Sequence, residues 1–314
     1  MNPISSKAAV IGGGIIGLSW AVVFARAGYH VHVHERAGRH RIPLKERVLG
    51  LAGAASQMGG RSAAEIAALC ESHDDLATVC TNAVHVQEAV TEDLALKRSI
   101  YAEIDEMAPP EALIASSSSG LPISVIAGSL SGKERCIVLH PATPPHLLPV
   151  VEIVPAPFTP IAVTEKAVAL MRTVGMKPVL IKKERPGFVL NRLQVALLKE
   201  MFAAIAAGVI SPADADSLIC DGLGLRWAFL GPLEGIDLNA PGGISDYLRR
   251  YRALFDAPGS GVTGESHVLT ESLIAELETS LRERFALSEH PARIAWRDRK
   301  ISALRALKDG KNDA

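Results

Sequence analysis

The chain has 314 residues, of which 48% are hydrophobic and 21% are charged, and its formal net charge is −1. This length exceeds a typical single core, so two domains are expected, and the composition is that of an ordinary globular enzyme. A net charge near zero provides no general field that would attract nucleic acid or an anionic membrane surface, so neither is an expected partner.

The cysteines and the N-terminal residues indicate a cytoplasmic protein. Cys70, Cys80, Cys136 and Cys220 are far apart and lack metal-ligand spacing, so we expect free thiols and no metal ion. The apolar run from Ala8 is interrupted at once by three glycines, which argues against a secretory signal. Apolar stretches of membrane-spanning length are absent from the sequence, so a membrane is not an expected partner.

A glycine-rich turn follows the first predicted strand. The apolar run Lys7–Ile11 predicts a buried parallel strand. The next residues fit G-x-G-x-x-G, with its glycines at Gly12, Gly14 and Gly17, and a helical pattern follows them. Such glycines allow a tight turn, close approach of a pyrophosphate and close packing of helix on strand. The helix N-terminus would bind the phosphates through its free amide groups.

The second predicted strand, 29–34, is followed by Glu35. An acid about 20 residues beyond the glycine turn binds the ribose hydroxyls of NAD and disfavours the 2′-phosphate of NADP. This context favours an NAD site over a glycine turn formed for backbone reasons alone. A basic run comes next, which we interpret as a solvated helix face rather than a phosphate clamp. Its members are Arg36, Arg39, His40, Arg41 and Lys45.

Strand and helix patterns alternate through the first half of the chain, which predicts a mostly parallel, Rossmann-type sheet. Further strand patterns occupy 83–90, 113–116, 136–139, 150–154 and 177–182, and helical patterns occupy 42–70, 93–107 and 161–174. After a charged Pro-Gly break at 183–187 only helical patterns remain, at 188–207, 231–238, 245–255, 269–285 and 292–307. We therefore predict a NAD-binding domain over 1–185 and an all-α substrate and dimerisation domain over 186–314.

A histidine and a carboxylate stand at the two ends of a proline-rich turn. His140 ends one apolar run, and Glu152 lies inside the next, at 150–154. A charge inside a buried strand is costly without a partner, and His140 is the nearest candidate. A histidine oriented by a carboxylate is a general base with a fixed tautomer. The alternative is a Glu152 that faces solvent on an edge strand.

Three further positions carry polar groups where ligand chemistry is expected. The serines at 116–119 end a strand at the edge where open α/β sheets bind ligands, although such a run also suits an ordinary turn. Asn191, in the first turns of a long helix, would donate to a substrate oxygen or make only a helix-start contact. Arg226, in an apolar and glycine-rich segment, would bind a carboxylate or form an ion pair with Asp221 or Asp237.

These residues together resemble the L-3-hydroxyacyl-CoA dehydrogenase superfamily, and within it the lambda-crystallin and L-gulonate 3-dehydrogenase branch. The resemblance covers nearly the whole chain. It rests on the glycine turn with Glu35, and on the segments Gln87–Leu94, Leu96–Arg98, Ser116–Leu121, His140–Pro141, Pro149–Glu152, Gly187–Gln194, Asp221–Glu234 and Ala295–Asp298.

The resemblance implies a role for each site residue. His140 would take the hydroxyl proton while Glu152 orients it, and Ser119 with Asn191 would hold the reacting oxygen. The positions implied at the NAD cofactor are Gly12, Gly14, Ile15, Ile16, Gly17, Glu35, Glu92 and Lys97. Arg226 is typical of branches that act on free hydroxy acids, so we assign it to the substrate carboxylate.

We therefore predict a homodimeric, NAD-dependent dehydrogenase of a small free 3-hydroxy acid such as L-gulonate. Oxidation of L-3-hydroxyacyl-CoA or L-carnitine is an alternative, as is a non-catalytic crystallin-like or NAD-binding protein. Thr143 stands where the superfamily usually has asparagine, and His146 and Leu147 stand where the gulonate branch has tyrosines. We expect these differences to alter the pocket and hence the substrate.

Overall fold

The computed structural model describes residues 6–35, 41–56, 59–255 and 270–308. The chain forms two compact units, Met1–Leu193 and Gln194–Ala314. The division between these units falls inside a helix, shortly after the Pro-Gly break at 183–187 where the sequence predicts a boundary.

The first unit is built on an eight-stranded sheet with the order β3-β2-β1-β4-β5-β6-β7-β8. The strands are β1 (Lys7–Ile11), β2 (His30–His34), β3 (Cys70–His73), β4 (Ala83–Glu88), β5 (Leu113–Ser116), β6 (Cys136–Pro141), β7 (Val150–Pro155) and β8 (Lys177–Leu180). Neighbouring strands are parallel except for β6 and β7. The predicted Rossmann-type, mostly parallel sheet is confirmed.

Helices cover both faces of this sheet, so its strands read as apolar runs. They are α1 (Ile15–Arg26), α2 (Leu44–Ser56), α3 (Ala63–Ala68), α4 (Leu76–Cys80), α5 (Leu94–Met107), α6 (Ile123–Ala127) and α7 (Ile161–Thr173). The next helix, α8 (Leu190–Ala206), begins in the first unit and continues into the second. One core, around Trp20 and Phe24, packs α1 on one face. A second core, around Tyr101 and Ile104, packs α5 on the other.

All the regular secondary structure in the described residues of the second unit is helical, which confirms the predicted all-α region. After α8 it contains α9 (Pro212–Ser217), a π-helical stretch (Leu218–Leu223), α10 (Gly224–Trp227), α11 (Pro232–Asp237), α12 (Gly243–Arg250), α13 (Arg252–Phe255), α14 (Glu271–Arg282) and α15 (His290–Lys308). Its core includes Leu230, Ile244 and Leu281. Across the described ranges, every helix is too short or too polar to cross a membrane.

The helical pattern predicted over 42–70, with its break at Gly59 and Gly60, corresponds to two helices, whereas the strand and the helix that follow were not predicted. This region contains α2 and α3, and the chain then forms β3 at the sheet edge and the short helix α4. In β3 only Cys70 is buried, whereas Glu71 is exposed. A strand of four residues with this composition shows no apolar alternation that sequence patterns could detect.

Candidate active site

The pairing of β6 with β7 places His140 directly opposite Glu152. His140 Nδ1 and Glu152 Oε2 are 2.7 Å apart, and the two residues are only 4% and 3% exposed. β8 lies beyond β7, so β7 is not an edge strand. The alternative of a solvent-facing Glu152 is therefore wrong. The pair is a buried imidazole oriented by a carboxylate, which is the arrangement of a general base.

The other oxygen of Glu152 holds the start of α8. Glu152 Oε1 accepts hydrogen bonds from the backbone amides of Val189 and Leu190, at 3.0 and 2.9 Å. Gly187 and Phe188 precede them with φ of +72° and +47°, and this turn directs the amides at the carboxylate. Both oxygens of Glu152 thus have donors, which is the condition for burying a carboxylate.

Asn191 links the start of α8 to the serine loop after β5. Its side-chain amide donates to the Ser119 carbonyl oxygen at 2.6 Å. The Ser119 hydroxyl is exposed and makes no hydrogen bond within the described part of the chain. The structure therefore gathers His140, Glu152, Asn191 and Ser119 in one region of the first unit.

Glu92 also binds the serine loop, through the backbone amides of that loop. Its Oε1 accepts hydrogen bonds from the amides of Ser119 and Gly120, at 3.1 and 3.2 Å, and from the Ser118 hydroxyl. Burial raises the pKa of the Glu92 carboxyl, but the Ser118 hydroxyl and the Lys97 ammonium together bring that pKa below its ordinary value. Glu92 thus fixes the loop that presents the Ser119 hydroxyl.

Lys97 is buried between two acids. Its Nζ is 2.7 Å from Glu88 Oε1 and 3.3 Å from Glu92 Oε2, and the residue is 1% exposed. Glu88 also accepts from the Ser116 hydroxyl at 2.6 Å. In this structure Lys97 acts on the site by holding Glu92. Sequence reasoning did not single out Glu88, although an acid inside the apolar strand β4 is itself a signal for a buried partner.

The glycine turn between β1 and α1 leaves room for a phosphate. A Cβ on Gly17 would lie 1.8 Å from the Gly12 carbonyl oxygen, so the helix packs against the turn too closely for any side chain. A Cβ on Gly14 would meet nothing within 4 Å, and Ile15 is 70% exposed. No described side chain caps α1. The amides at the start of α1 thus have no capping side chain among the described residues, which suits a pyrophosphate, and Ile16 packs against the core.

Glu35 lies against this turn, at the end of β2. A Cβ on Gly13 would lie 2.0 Å from Glu35 Oε2, so glycine is needed for the carboxylate to occupy its position. Arg47 of α2 donates to both oxygens of Glu35 at 2.6 Å and to the Gly13 carbonyl at 2.9 Å. Sequence reasoning missed Arg47. Of the basic run after Glu35, Lys45 is exposed, and Arg36, Arg39 and His40 lie outside the described residues.

Arg226 belongs to the second unit, where it lines a cavity of about 450 Å³. The lining residues are Asp221, Gly222, Leu225, Arg226, Ile301, Arg305 and Lys308. Asp221 pairs with Lys308, and Asp237 pairs with Arg282 and His290. The alternative of an ion pair between Arg226 and either acid is therefore wrong. Within the described residues the Arg226 guanidinium has no carboxylate partner.

The sequence led us to expect His146 in the substrate pocket, but in the structure its side chain lies against α1. Its ring is buried, and its Nδ1 lies 3.0 Å from the Ser19 hydroxyl of α1. Burial lowers the pKa of His146, with a smaller effect from Arg26. Thr143 in the same turn is exposed. The histidine at position 146 is thus accommodated by packing against α1, whereas the exposed Thr143 side chain remains accessible to a ligand.

Comparison with known proteins agrees with this geometry. Residues 7–185 match the 3-hydroxyacyl-CoA dehydrogenase NAD binding domain, and residues 187–272 match the C-terminal domain of the same family. The chain is 34% identical to lambda-crystallin of Oryctolagus cuniculus over 98% of both chains. It is 32% identical to L-carnitine dehydrogenase of Streptomyces griseus subsp. griseus, over 80% of this chain and 75% of that one.

One solved structure has a similar fold over nearly the whole chain. It is 5-formyl-3-hydroxy-2-methylpyridine 4-carboxylic acid 5-dehydrogenase, described as an NAD⁺-dependent dismutase, with a TM-score of 0.71 and 26% identity. The match covers 97% of this chain and 98% of that one. The cofactor predicted from the glycine turn, NAD, is confirmed by the family of the matching domain. The chain belongs to the 3-hydroxyacyl-CoA dehydrogenase family and is an NAD-dependent dehydrogenase of that family.

Proposed function

We propose that the protein oxidises the 3-hydroxyl group of a small free hydroxy acid, L-gulonate or a close relative, with His140 as the general base. The observation that carries this proposal is the buried contact of 2.7 Å between His140 Nδ1 and Glu152 Oε2. The same carboxylate is fixed by two backbone amides, so its position does not depend on the histidine.

The carboxylate determines which ring nitrogen carries the proton. Glu152 accepts the Nδ1–H of His140, so Nε2 of the neutral ring has a free lone pair. Nε2 makes no hydrogen bond within the described part of the chain and can accept the hydroxyl proton of a substrate. The bound cofactor supplies the acceptor for the hydride that leaves C3. As the proton arrives on Nε2, Glu152 stabilises the imidazolium that forms.

Ser119 and Asn191 fit the task of holding the reacting oxygen. The Ser119 hydroxyl is exposed, and Asn191 fixes the backbone of that serine through the 2.6 Å bond to its carbonyl. Glu92 fixes the same backbone from its amide side. A serine whose backbone is held at both its amide and its carbonyl keeps a defined position, so its hydroxyl needs only side-chain rotation to bind a substrate oxygen.

Arg226 supports a free acid as the substrate. A guanidinium that lines a cavity and has no carboxylate partner in the described part of the chain suits a substrate carboxylate, which it would bind with two parallel hydrogen bonds. Two of the similar proteins, the carnitine and pyridine carboxylic acid dehydrogenases, are named for compounds that carry a free carboxylate. An acyl-CoA thioester has no carboxylate at this place, so the second candidate, L-3-hydroxyacyl-CoA, leaves Arg226 without a role.

L-Carnitine is the other alternative substrate, and its trimethylammonium group would need an aromatic surface. Trp227 is 37% exposed and follows Arg226 directly, so it is the aromatic side chain to consider. A non-catalytic crystallin-like role is disfavoured, because the base, its carboxylate and the serine loop are assembled with good hydrogen-bond geometry.

The proposed activity is tested by a panel of hydroxy acids and thioesters. L-Gulonate, L-carnitine, 3-hydroxybutyrate and 3-hydroxybutyryl-CoA are each mixed with NAD, and the appearance of NADH is followed by absorbance. We expect turnover of a free acid, and His140→Gln should lower it by ~10²–10⁴ without changing NADH affinity. His30→Gln, an exposed histidine of β2, is the matched control. Near-normal turnover by His140→Gln would contradict the proposal, and equal rates with NADP would contradict selection by Glu35.

We also propose that the protein acts in the cytoplasm as a homodimer. The four cysteines are free, and burial raises the pKa of Cys70 to about 12, of Cys80 to about 11 and of Cys136 to about 12. Such thiols suit a reducing compartment. None of the 17 residues of α8 is buried, although Leu193 and Phe202 are apolar. A second copy of the chain would cover this helix.

A further inference from the structure

We propose that His32, Glu71 and His73 form a binding site for a divalent transition-metal ion, represented by Zn²⁺, at the edge of the sheet. Each of these residues offers one ligand atom, and the three atoms lie within 4.8 Å of one another. The site is separate from His140, because it lies on β2 and β3 whereas the base lies on β6.

Strand pairing brings the three residues together. β2 and β3 are parallel neighbours in which His32 is opposite Glu71 and His34 is opposite His73. Alternate residues of a strand share a face, so Glu71 and His73 point to the same side of the sheet. The rings of His32 and His73 stack with centroids 4.7 Å apart and an angle of 11°.

Two ring nitrogens in this cluster lack the partner that buried polar atoms normally have. His32 Nδ1 and His73 Nε2 are both buried, and neither has a hydrogen-bond partner among the described residues. Buried polar atoms are almost always satisfied, and an ion is one explanation for exceptions. His73 Nε2 is 3.8 Å from Glu71 Oε2, so a cation there would have a nitrogen and a carboxylate at hand.

The chemistry of the three groups fits a soft-to-intermediate divalent ion. Two imidazoles and one carboxylate form the ligand set of open zinc sites, which retain a position for water. In a tetrahedral site with bonds of ~2.1 Å the ligand atoms lie roughly 3.4 Å apart. Because the two rings are stacked and nearly parallel, their in-plane lone pairs do not converge in the present rotamers. Metal binding therefore requires the partly exposed His73 ring to turn out of the stack and the exposed Glu71 side chain to move with it.

The local charges also permit a cation. Burial is the largest cause that lowers the pKa of His32, and the nearby Lys7 and His73 lower it further. The Lys7 ammonium is itself bound to the carbonyl oxygens of Thr78 and Thr81, at 2.6 and 2.8 Å. Glu71 supplies the negative charge that opposes Lys7.

The position of the site ties it to the adenosine end of the cofactor site. The backbone amide of Glu35 donates to the His73 carbonyl oxygen at 3.0 Å. An ion bound by His32 and His73 would link the edge strand β3 to β2, close to Glu35, which follows β2 directly. Sequence spacing gives no sign of this site, because the ligands meet only through strand pairing.

The test is a titration of untagged protein with ZnCl₂ by isothermal calorimetry, in a Cys220→Ser background that removes the exposed thiol. We expect one ion per chain. His73→Gln and Glu71→Gln should each weaken binding by at least the ~10–100-fold that loss of an outer-sphere partner costs in metal sites. His30→Gln, on the same strand but outside the cluster, should bind as tightly as the parent protein.

A second measurement identifies the ligands directly. Co²⁺ in the site should give visible absorption bands of a four- or five-coordinate ion that vanish in His73→Gln. Circular dichroism of the metal-free variants checks their fold, and Glu71→Gln changes only an exposed side chain. Absence of Zn²⁺ binding, or equal binding by His73→Gln, Glu71→Gln and His30→Gln, would overturn the proposal.

Discussion

Arg226 is a guanidinium without a carboxylate partner in the described chain, and this property predicts a specific kinetic effect. Arg226→Gln should raise KM for the hydroxy acid by tenfold or more, since a hydrogen bond to a charged group contributes ~1.5–3 kcal/mol. The amide of the same hydroxy acid should be oxidised equally well by both proteins. KM values from initial rates check this, with Arg249→Gln, an exposed arginine of α12, as control. An unchanged KM for the acid would remove Arg226 from the substrate site.

His85 predicts how the stability of the protein depends on pH. Burial lowers the pKa of His85 to about 4, against 6.5 in the unfolded chain, and its Nε2 lies 3.0 Å from Gln87 Oε1. As pH falls, the unfolded state therefore binds a proton at this histidine before the folded state does. The contribution of the neutral His85 ring to the free energy of unfolding is complete above pH 6.5 and is lost as pH falls towards 4. The loss between pH 7 and pH 4 is about 3 kcal/mol.

Urea unfolding at a series of pH values measures this effect. The free energy of unfolding should fall less steeply with pH in His85→Gln than in the parent protein. His30→Gln, which replaces an exposed ring, should leave the slope unchanged. Identical slopes for the parent and His85→Gln would show that His85 does not govern acid stability.

For individual residues, sequence reasoning found those whose type alone indicates a function. It missed those whose role depends on a partner that only the fold supplies. His140 and Glu152 stand out because a charge and an imidazole interrupt apolar runs. Arg47 has no such signal, because an arginine on a helix surface is ordinary and only the fold brings it to Glu35. Lys97 pairs with Glu88 and Glu92, and its predicted place at the cofactor stays a prediction.

The element that organises the site is the start of α8, where Gly187 has φ of +72°. A Cβ on Gly187 has room, with Arg192 Cγ at 3.9 Å, so the effect of Gly187→Ala is backbone strain of ~1–2 kcal/mol. Relief of that strain would move the Val189 and Leu190 amides away from Glu152. We expect a lower melting temperature together with a fall in kcat, measured by calorimetry and initial rates.

A glycine in an ordinary helix serves as the control for this substitution. Gly50 lies in α2, and a Cβ there would meet nothing within 4 Å. Gly50→Ala should stabilise the protein by ~0.5–1 kcal/mol and leave kcat unchanged. If Gly187→Ala behaves in the same way as Gly50→Ala, the turn before α8 does not position the catalytic carboxylate.

Strands were predictable from the sequence where their residues are apolar and buried, and were missed where most of their residues are polar and exposed. The bounds of β1 and β5 agree with the sequence patterns at 7–11 and 113–116, because these strands are buried between helices. β3 was missed, since one buried cysteine in four residues resembles a loop. The antiparallel direction of β7 was also not predicted from sequence, because strand patterns carry no direction.

At the scale of the whole molecule, the exposed surface of α8 predicts assembly. Val195 and Phe202, seven residues apart and therefore on one face of α8, are 47% and 61% exposed, and an uncovered apolar surface of this kind marks an interface. Phe202→Glu should reduce the mass in solution from that of a dimer to that of a monomer, measured by light scattering. Ile161→Glu, on α7 and 77% exposed, should leave the mass unchanged. A monomeric parent protein would contradict the proposed homodimer.

The direct pairing of His140 with Glu152 across two neighbouring strands separates the catalytic pair from the segment that joins them. Residues 142–149 connect β6 to β7 without supplying a contact to either member of the pair. The residues of this segment, Thr143 and His146 among them, can therefore change without altering the register of His140 with Glu152. Changes confined to this loop can therefore alter which substrate is bound, while the residues proposed for proton transfer keep their positions.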